Sequence, residues 1–160
     1  IYYIIRNQKK IDTKLIFGCS PWAMQENTLN INPKKESFLD RFSPLKKLVI
    51  PSSVDSIESH TFEKLSSLEE IVIPPSVIYI ADHAFDGCSS LKRITIPSSV
   101  TKIGHHTFAR CSSLTEVTIP SFVTWIGHFS FNRCKSLIRI AIPSSVTYIG
   151  GSTFLRCSKI

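Results

Sequence analysis

The chain has 160 residues, 42% of them apolar and 19% charged, which is the composition of one folded domain rather than of a disordered or collagen-like chain. No stretch approaches the roughly 20 apolar residues of a membrane-spanning helix, and the opening IYYII is shorter than a signal-peptide core. The net charge of +7 is unevenly spread: residues 1–47 carry nine Lys/Arg against four Asp/Glu, residues 48–87 one against seven, and residues 88–160 nine against one.

The first 44 residues predict an N-terminal capping segment. YYII and KLIF flank a polar stretch from Asn7 to Lys14, a pattern that closes as a hairpin. LNINP (Leu29, Ile31, Pro33), with Phe38 and Phe42 after it, reads as a decayed copy of the motif that follows. With no initiator Met, the sequence itself reads as a processed or truncated fragment.

From Leu45 a 23-residue block recurs five times without insertion or deletion, starting at Leu45, Leu68, Leu91, Leu114 and Leu137. Self-similarity at so short a period predicts a solenoid, because each unit is too small to bury its own apolar face. Taking the third copy, Leu91, Ile94 and Ile96 are apolar, the last two alternating with an outward residue as a short strand requires. Pro97 cannot donate to a ladder and ends that strand; Pro51, Pro74, Pro120 and Pro143 do the same elsewhere. Val100 and Ile103 are three apart and suggest a bent extended segment, closed by a corner at Gly104 that calls for a relaxed backbone. Phe108 and Cys111 fit one turn of helix. The predicted fold class is therefore an α/β repeat solenoid, with stacked short parallel strands on one face and extended segments and short helical turns on the other. Phe62, Phe85, Phe108, Phe131 and Phe154 form its aromatic spine, and Cys88, Cys111, Cys134 and Cys157 a buried column of free thiols. Cys19 falls outside this register. The C-terminal end has no cap comparable to residues 1–44, so either the chain continues beyond Ile160 or that end meets a partner, end-to-end self-association being one form.

The pattern L-x-x-I-x-I-P-x-x-V-x-x-I-G-x-x-x-F-x-x-C resembles the Treponema pallidum-type leucine-rich repeat of BspA-like proteins, over residues 45–159. The first copy departs from it, with Glu58 at the Gly position and Leu65 at the Cys position. The resemblance implies a leucine-rich-repeat fold and, from bacterial relatives, surface adhesion and binding of host matrix proteins.

Function should lie where the repeats differ. Repeat four places Phe122, Trp125 and Phe129 where its siblings mostly carry Ser, Lys or His, and Tyr79 and Tyr148 share the Trp125 column. Exposed aromatic clusters mark interaction sites, so these five are candidate partner-binding residues. Lys47, Glu70, Arg93, Glu116 and Arg139 alternate in sign along the strand face, a second candidate surface that neutralises itself. Arg110, Arg133 and Arg156 form a basic edge suited to sulfate or phosphate groups, which makes a sulfated glycan or another polyanion a candidate ligand. His60, His83 and His106 share one column and His105 and His128 the next. A straight ladder of imidazoles does not converge as zinc requires, so no metal or other cofactor is expected.

No phosphate-cradling loop, nucleophile elbow or metalloprotease motif is present, and the recurring Ser pairs are turn chemistry. The expectation is a non-enzymatic module that binds a protein partner. The resemblance favours the cell surface; the alternative is an intracellular scaffold within a larger assembly, towards which the lack of an N-x-Ser/Thr acceptor leans.

Overall fold

The computed structural model describes residues 46–50 and 52–160 in full, and the backbone of two short strands, Tyr2–Arg6 (β1) and Lys14–Leu15 (β2). The remainder of the first 45 residues, with the connection 7–13, LNINP, Phe38, Phe42 and Cys19, lies outside the described residues. β1 and β2 pair antiparallel, with Ile5 opposite Leu15.

Each repeat contributes one strand to each of two parallel sheets. The first sheet is built from Lys47–Val49 (β3), Glu70–Val72 (β5), Arg93–Thr95 (β7), Glu116–Thr118 (β9) and Arg139–Ala141 (β11), and β1 adds to β3 in parallel. The second sheet is built from Ser56–Ile57 (β4), Tyr79–Ile80 (β6), Lys102–Ile103 (β8), Trp125–Ile126 (β10) and Tyr148–Ile149 (β12). Pairing keeps equivalent residues side by side: Arg93 lies opposite Glu116, and Trp125 opposite Lys102 and Tyr148. The segment expected only to bend, such as Val100 to Ile103, thus carries a true ladder, because its outer residue at each level pairs with the level beside it.

The third side is a run of turns, and no helix occurs among the described residues. Strand spacing explains this. Two sheets on the other sides set the rise per repeat at about 4.8 Å, whereas an α-helix with its side chains is about 10 Å across and cannot stack at that interval. The chain instead bonds to the next level: the N–H groups of His60, Phe62 and Lys64 donate to the carbonyls of Asp82, Ala84 and Asp86 at 3.1, 2.9 and 2.7 Å. To aim them so, two positions per turn become left-handed, as at His83 (φ 56°) and Gly87 (φ 79°), and non-glycine residues such as Arg110 (φ 60°) accept that conformation.

Apolar columns, one residue from each repeat, fill the interior. Phe85, Phe108 and Phe131 are fully buried and stack at 5.4 Å between centroids, with Phe62 continuing below and Phe154 above. The four repeat cysteines are free and buried. Each thiol donates to the carbonyl of the phenylalanine one repeat earlier, Cys88 to Phe62 at 3.1 Å and Cys134 to Phe108 at 3.1 Å. Burial pushes the Cys88 thiol up to about 12.

The corner glycines serve close approach rather than a relaxed φ. Only Gly87 among the glycines of the described residues has positive φ, while a Cβ on Gly127 would stand 2.7 Å from the backbone of Gly104 and His105. Levels touch there through main chain alone, and Gly127 N–H donates to Ile103 at 2.9 Å.

Candidate functional site

A solenoid of like repeats makes exceptions conspicuous, and the corner between the two sheets holds the clearest one. Ser76, Ser99 and Ser145 occupy one column there, and each hydroxyl donates to the valine carbonyl one repeat back: Val54 at 2.6 Å, Val77 at 2.5 Å, Val123 at 2.9 Å. Repeat four has Phe122 instead, which has no hydroxyl to donate, and the ring is 64% exposed. A stabilising bond is replaced by an apolar ring largely in water, a substitution with little net benefit to the fold.

Three residues on, β10 and β12 place Trp125 and Tyr148 side by side on the outward face of the second sheet. Their rings stack at 5.6 Å, 8° from parallel. His105 meets Trp125 edge-on at 5.1 Å, and His128 Nε2 lies 3.0 Å from Tyr148 Oη. The two imidazoles are fixed from behind: His128 N–H donates to His105 Nδ1 at 3.0 Å, and Gly151 N–H to His128 Nδ1 at 2.8 Å. Asp82 fills this role one level earlier, accepting from His105 N–H at 2.7 Å. Phe122, Trp125, Tyr148, His105 and His128 therefore share one corner of repeats three to five, with Trp125 half-buried and Tyr148 exposed.

Two of the five aromatic candidates lie elsewhere. Phe129 stacks on His106 at 4.8 Å on the turn side, as the fourth member of the His60, His83, His106 column. Tyr79 is exposed on β6 but separated from Trp125 by Lys102 on β8; burial, then Asp82 and Glu58, raise its phenol.

On the first sheet the alternating charges pair across levels, Lys47 with Glu70 at 2.7 Å and Arg139 with Glu116 at 4.0 Å; Arg93 lies between Glu70 and Glu116 in register. Beside them Glu69 bridges Lys92 and Lys46 at 2.6 and 3.1 Å, and these lower its carboxyl. Exposed pairs of this kind contribute little to stability.

The basic edge is not uniform. Arg110 reaches back to Asp86, Nη2 to Oδ2 at 2.6 Å, whereas Arg133 and Arg156 stand exposed on successive levels. The sequence reading does not single out Asp86. Its column reads Glu63, Asp86, Ala109, Asn132, Leu155, and a column so varied gives the sequence no signal of it.

Comparison with known proteins agrees with this architecture. Residues 34–160 match the BspA-type leucine-rich repeat region in six copies. A leucine-rich cell surface protein of Faecalibacterium prausnitzii is 38% identical, with a TM-score of 0.69 over 71% of this chain and 30% of its own. A leucine-rich repeat protein of Bacteroides ovatus is likewise 38% identical, with a TM-score of 0.69 over 72% of this chain and 30% of its own. The T. pallidum leucine-rich repeat protein is 34% identical, with a TM-score of 0.70 over 73% of this chain and 57% of its own. The chain thus spans about a third of the first two relatives and just over half of the third. No curated protein matches it significantly. No helix among the described residues is long and apolar enough to cross a membrane. With most of its length in that repeat, and the repeats stacked as those relatives stack theirs, the chain belongs to the BspA-type leucine-rich repeat family.

Proposed function

We propose that this chain is a non-enzymatic protein-binding module whose contact surface is the aromatic corner of repeats three to five. The observation that carries the reading is Phe122: it forgoes the hydroxyl bond made in three sibling repeats and holds a ring in water beside a second aromatic pair. Trp and Tyr backed by rigid neighbours are the usual anchors of protein interfaces, and both rings here are fixed by stacking and by histidine contacts. Arg133 and Arg156 lie on the neighbouring turn side of the same levels and would steer an acidic partner towards the corner. A surface location fits the description of the F. prausnitzii relative as a cell surface protein.

The reading is tested by placing a photo-crosslinking phenylalanine analogue at 122 or 148, and separately at Thr118 on the first sheet, in the cells that make the protein. A discrete protein adduct from 122 and 148, absent from 118, is expected. Adducts formed equally at 118, or none at 122 and 148, would reject the corner as the contact surface.

A further inference from the structure

The turn side of repeats two and three holds a group that a purely structural role does not account for. His83 and His106 stack at 4.5 Å, and Asp86 lies beneath them, fully buried. One ligand atom from each of these three residues lies within 4.8 Å of the other two. Asp86 Oδ2 receives both His83 Nδ1, at 3.0 Å, and Arg110 Nη2, at 2.6 Å. Its other oxygen receives nothing: Oδ1 is the single buried side-chain N or O atom without a hydrogen-bond partner among the described residues. Buried carboxylate oxygens are normally satisfied, since leaving one bare costs its full desolvation.

From this arrangement we infer a divalent transition-metal site with His83, His106 and Asp86 as its protein donors. The sequence alone offered only a straight imidazole ladder; Asp86, set off the ladder axis, supplies the third direction. Two imidazoles and one carboxylate suit zinc, cobalt or nickel rather than calcium or magnesium, which prefer all-oxygen shells. Tetrahedral zinc with bonds of about 2.0–2.1 Å holds its donors about 3.3 Å apart, so the widest present spacing must close by up to about 1.5 Å. The half-buried rings can turn to do so, while Asp86 is fixed. The neighbouring levels bound the site. Below, His60 pairs with its own Glu63 at 2.8 Å; above, the column continues as Phe129, which has no donor atom. Three protein donors leave one tetrahedral position open to water or to a donor from a partner.

The Arg110 guanidinium competes with the metal for Asp86, and this gives the test its direction. Equilibrium dialysis of the whole chain against Zn2+, with Co2+ absorption as a second readout, should show one saturable equivalent and a low-symmetry cobalt spectrum. His106→Phe should weaken binding at least tenfold; a phenylalanine at the equivalent Phe129 already accepts the left-handed backbone (φ 58°), so this variant folds. Asp86→Asn should do the same, and Arg110→Gln should tighten binding. Replacing His60 or His128 should change nothing. The inference is overturned if no saturable equivalent binds, if binding survives His106→Phe, or if it follows His60 or His128 instead, which would mark ordinary surface-histidine affinity. Arg110→Gln that leaves affinity unchanged or weaker would remove Asp86 from the donor set.

Discussion

Phe122→Ser restores the residue that occupies this column in all four other repeats, and its effect on stability follows from two opposed terms. The ring is 64% exposed, so about 70 Å² of an area near 200 Å² is hidden, which at about 25 cal/mol per Å² stabilises the fold by no more than about 1.8 kcal/mol. Against this, a serine hydroxyl at 122 would reach the Val100 carbonyl as its siblings reach theirs at 2.5 to 2.9 Å, adding about 0.5–1.5 kcal/mol. The two nearly cancel, leaving a change of about 1 kcal/mol or less and a melting temperature within about 4 °C of the parent. Binding should respond differently, because an anchor ring at the centre of an interface is worth about 2 kcal/mol or more, about thirtyfold in affinity for the protein trapped by crosslinking at 122. Thermal unfolding followed by circular dichroism, with titration of that partner, separates the two effects. A melting temperature lower by about 10 °C or more, with affinity intact, would show the ring to be part of the fold and would refute the hot-spot reasoning.

Trp125→Ala should cost more stability than Phe122→Ser, about 1–2 kcal/mol, because the indole is half-buried against Tyr148 and His105; an unchanged melting temperature would mean that this packing is loose. Phe108→Ala removes a ring enclosed on both faces and should cost about 3–5 kcal/mol in denaturant unfolding, whereas Phe154→Ala, at a half-buried ring, should cost clearly less; equal losses would contradict the stacked spine. Gly127→Ala forces the backbone of two levels apart, straining the bonds from Gly127 to Ile103 and from His128 to His105, so a loss of about 3 kcal/mol is expected, against about 1 kcal/mol for Ala81→Gly, where a methyl group is already accommodated; Gly127→Ala without effect would disprove the close-approach account. Among the thiols, burial pushes Cys88 up to about 12 and raises Cys111 well above the ordinary thiol range, whereas Cys157, on the last level, is 9% exposed where the other three are 0%. Thiolate is the reactive form and grows as pH rises through the pKa, so Cys88, Cys111 and Cys134 should stay silent until unfolding, and Cys157 should be the first to label. Simultaneous labelling of all four in the folded protein would reject this order.

Much of the fold was legible because the repeat converts a three-dimensional question into a one-dimensional one. Once Phe85, Phe108 and Phe131 share a column in the sequence, any in-register stack must place them on one another, and the same holds for Cys88 to Cys157 and for the charges from Lys47 to Arg139. What escaped the reading depends on relations between sides rather than along a column. The second sheet arises because main-chain groups near Ile103 and Ile126 face each other, information that side-chain identity does not carry. The turns replace a helix because the two sheets impose a rise that a helix cannot meet. The corner glycines were recognised as special for the wrong physical reason: sequence shows that a side chain is missing, and only the contact between levels shows whether φ or space required it.

The same division separates the two proposed sites. The aromatic corner is visible as departures within columns, Phe122 among serines and Trp125 beside Lys102, and it needs the structure only to remove Phe129 and Tyr79 and to add His105 and His128. The Asp86 cluster is different in kind. His83 and His106 conform to their column, and Asp86 sits in one so varied that no expectation is broken; the anomaly appears only when burial, an unpartnered oxygen and two imidazoles coincide. In a repeat protein a residue free to vary on the surface carries little information, whereas the same freedom at a buried position must be resolved by some local partner. For Glu63 that partner is His60, together with Lys64, and for Ala109 the question does not arise. Asp86 has His83 and Arg110 on one oxygen and nothing on the other, and that residual valence is the reason to look for a cation at this level of the stack and at no other.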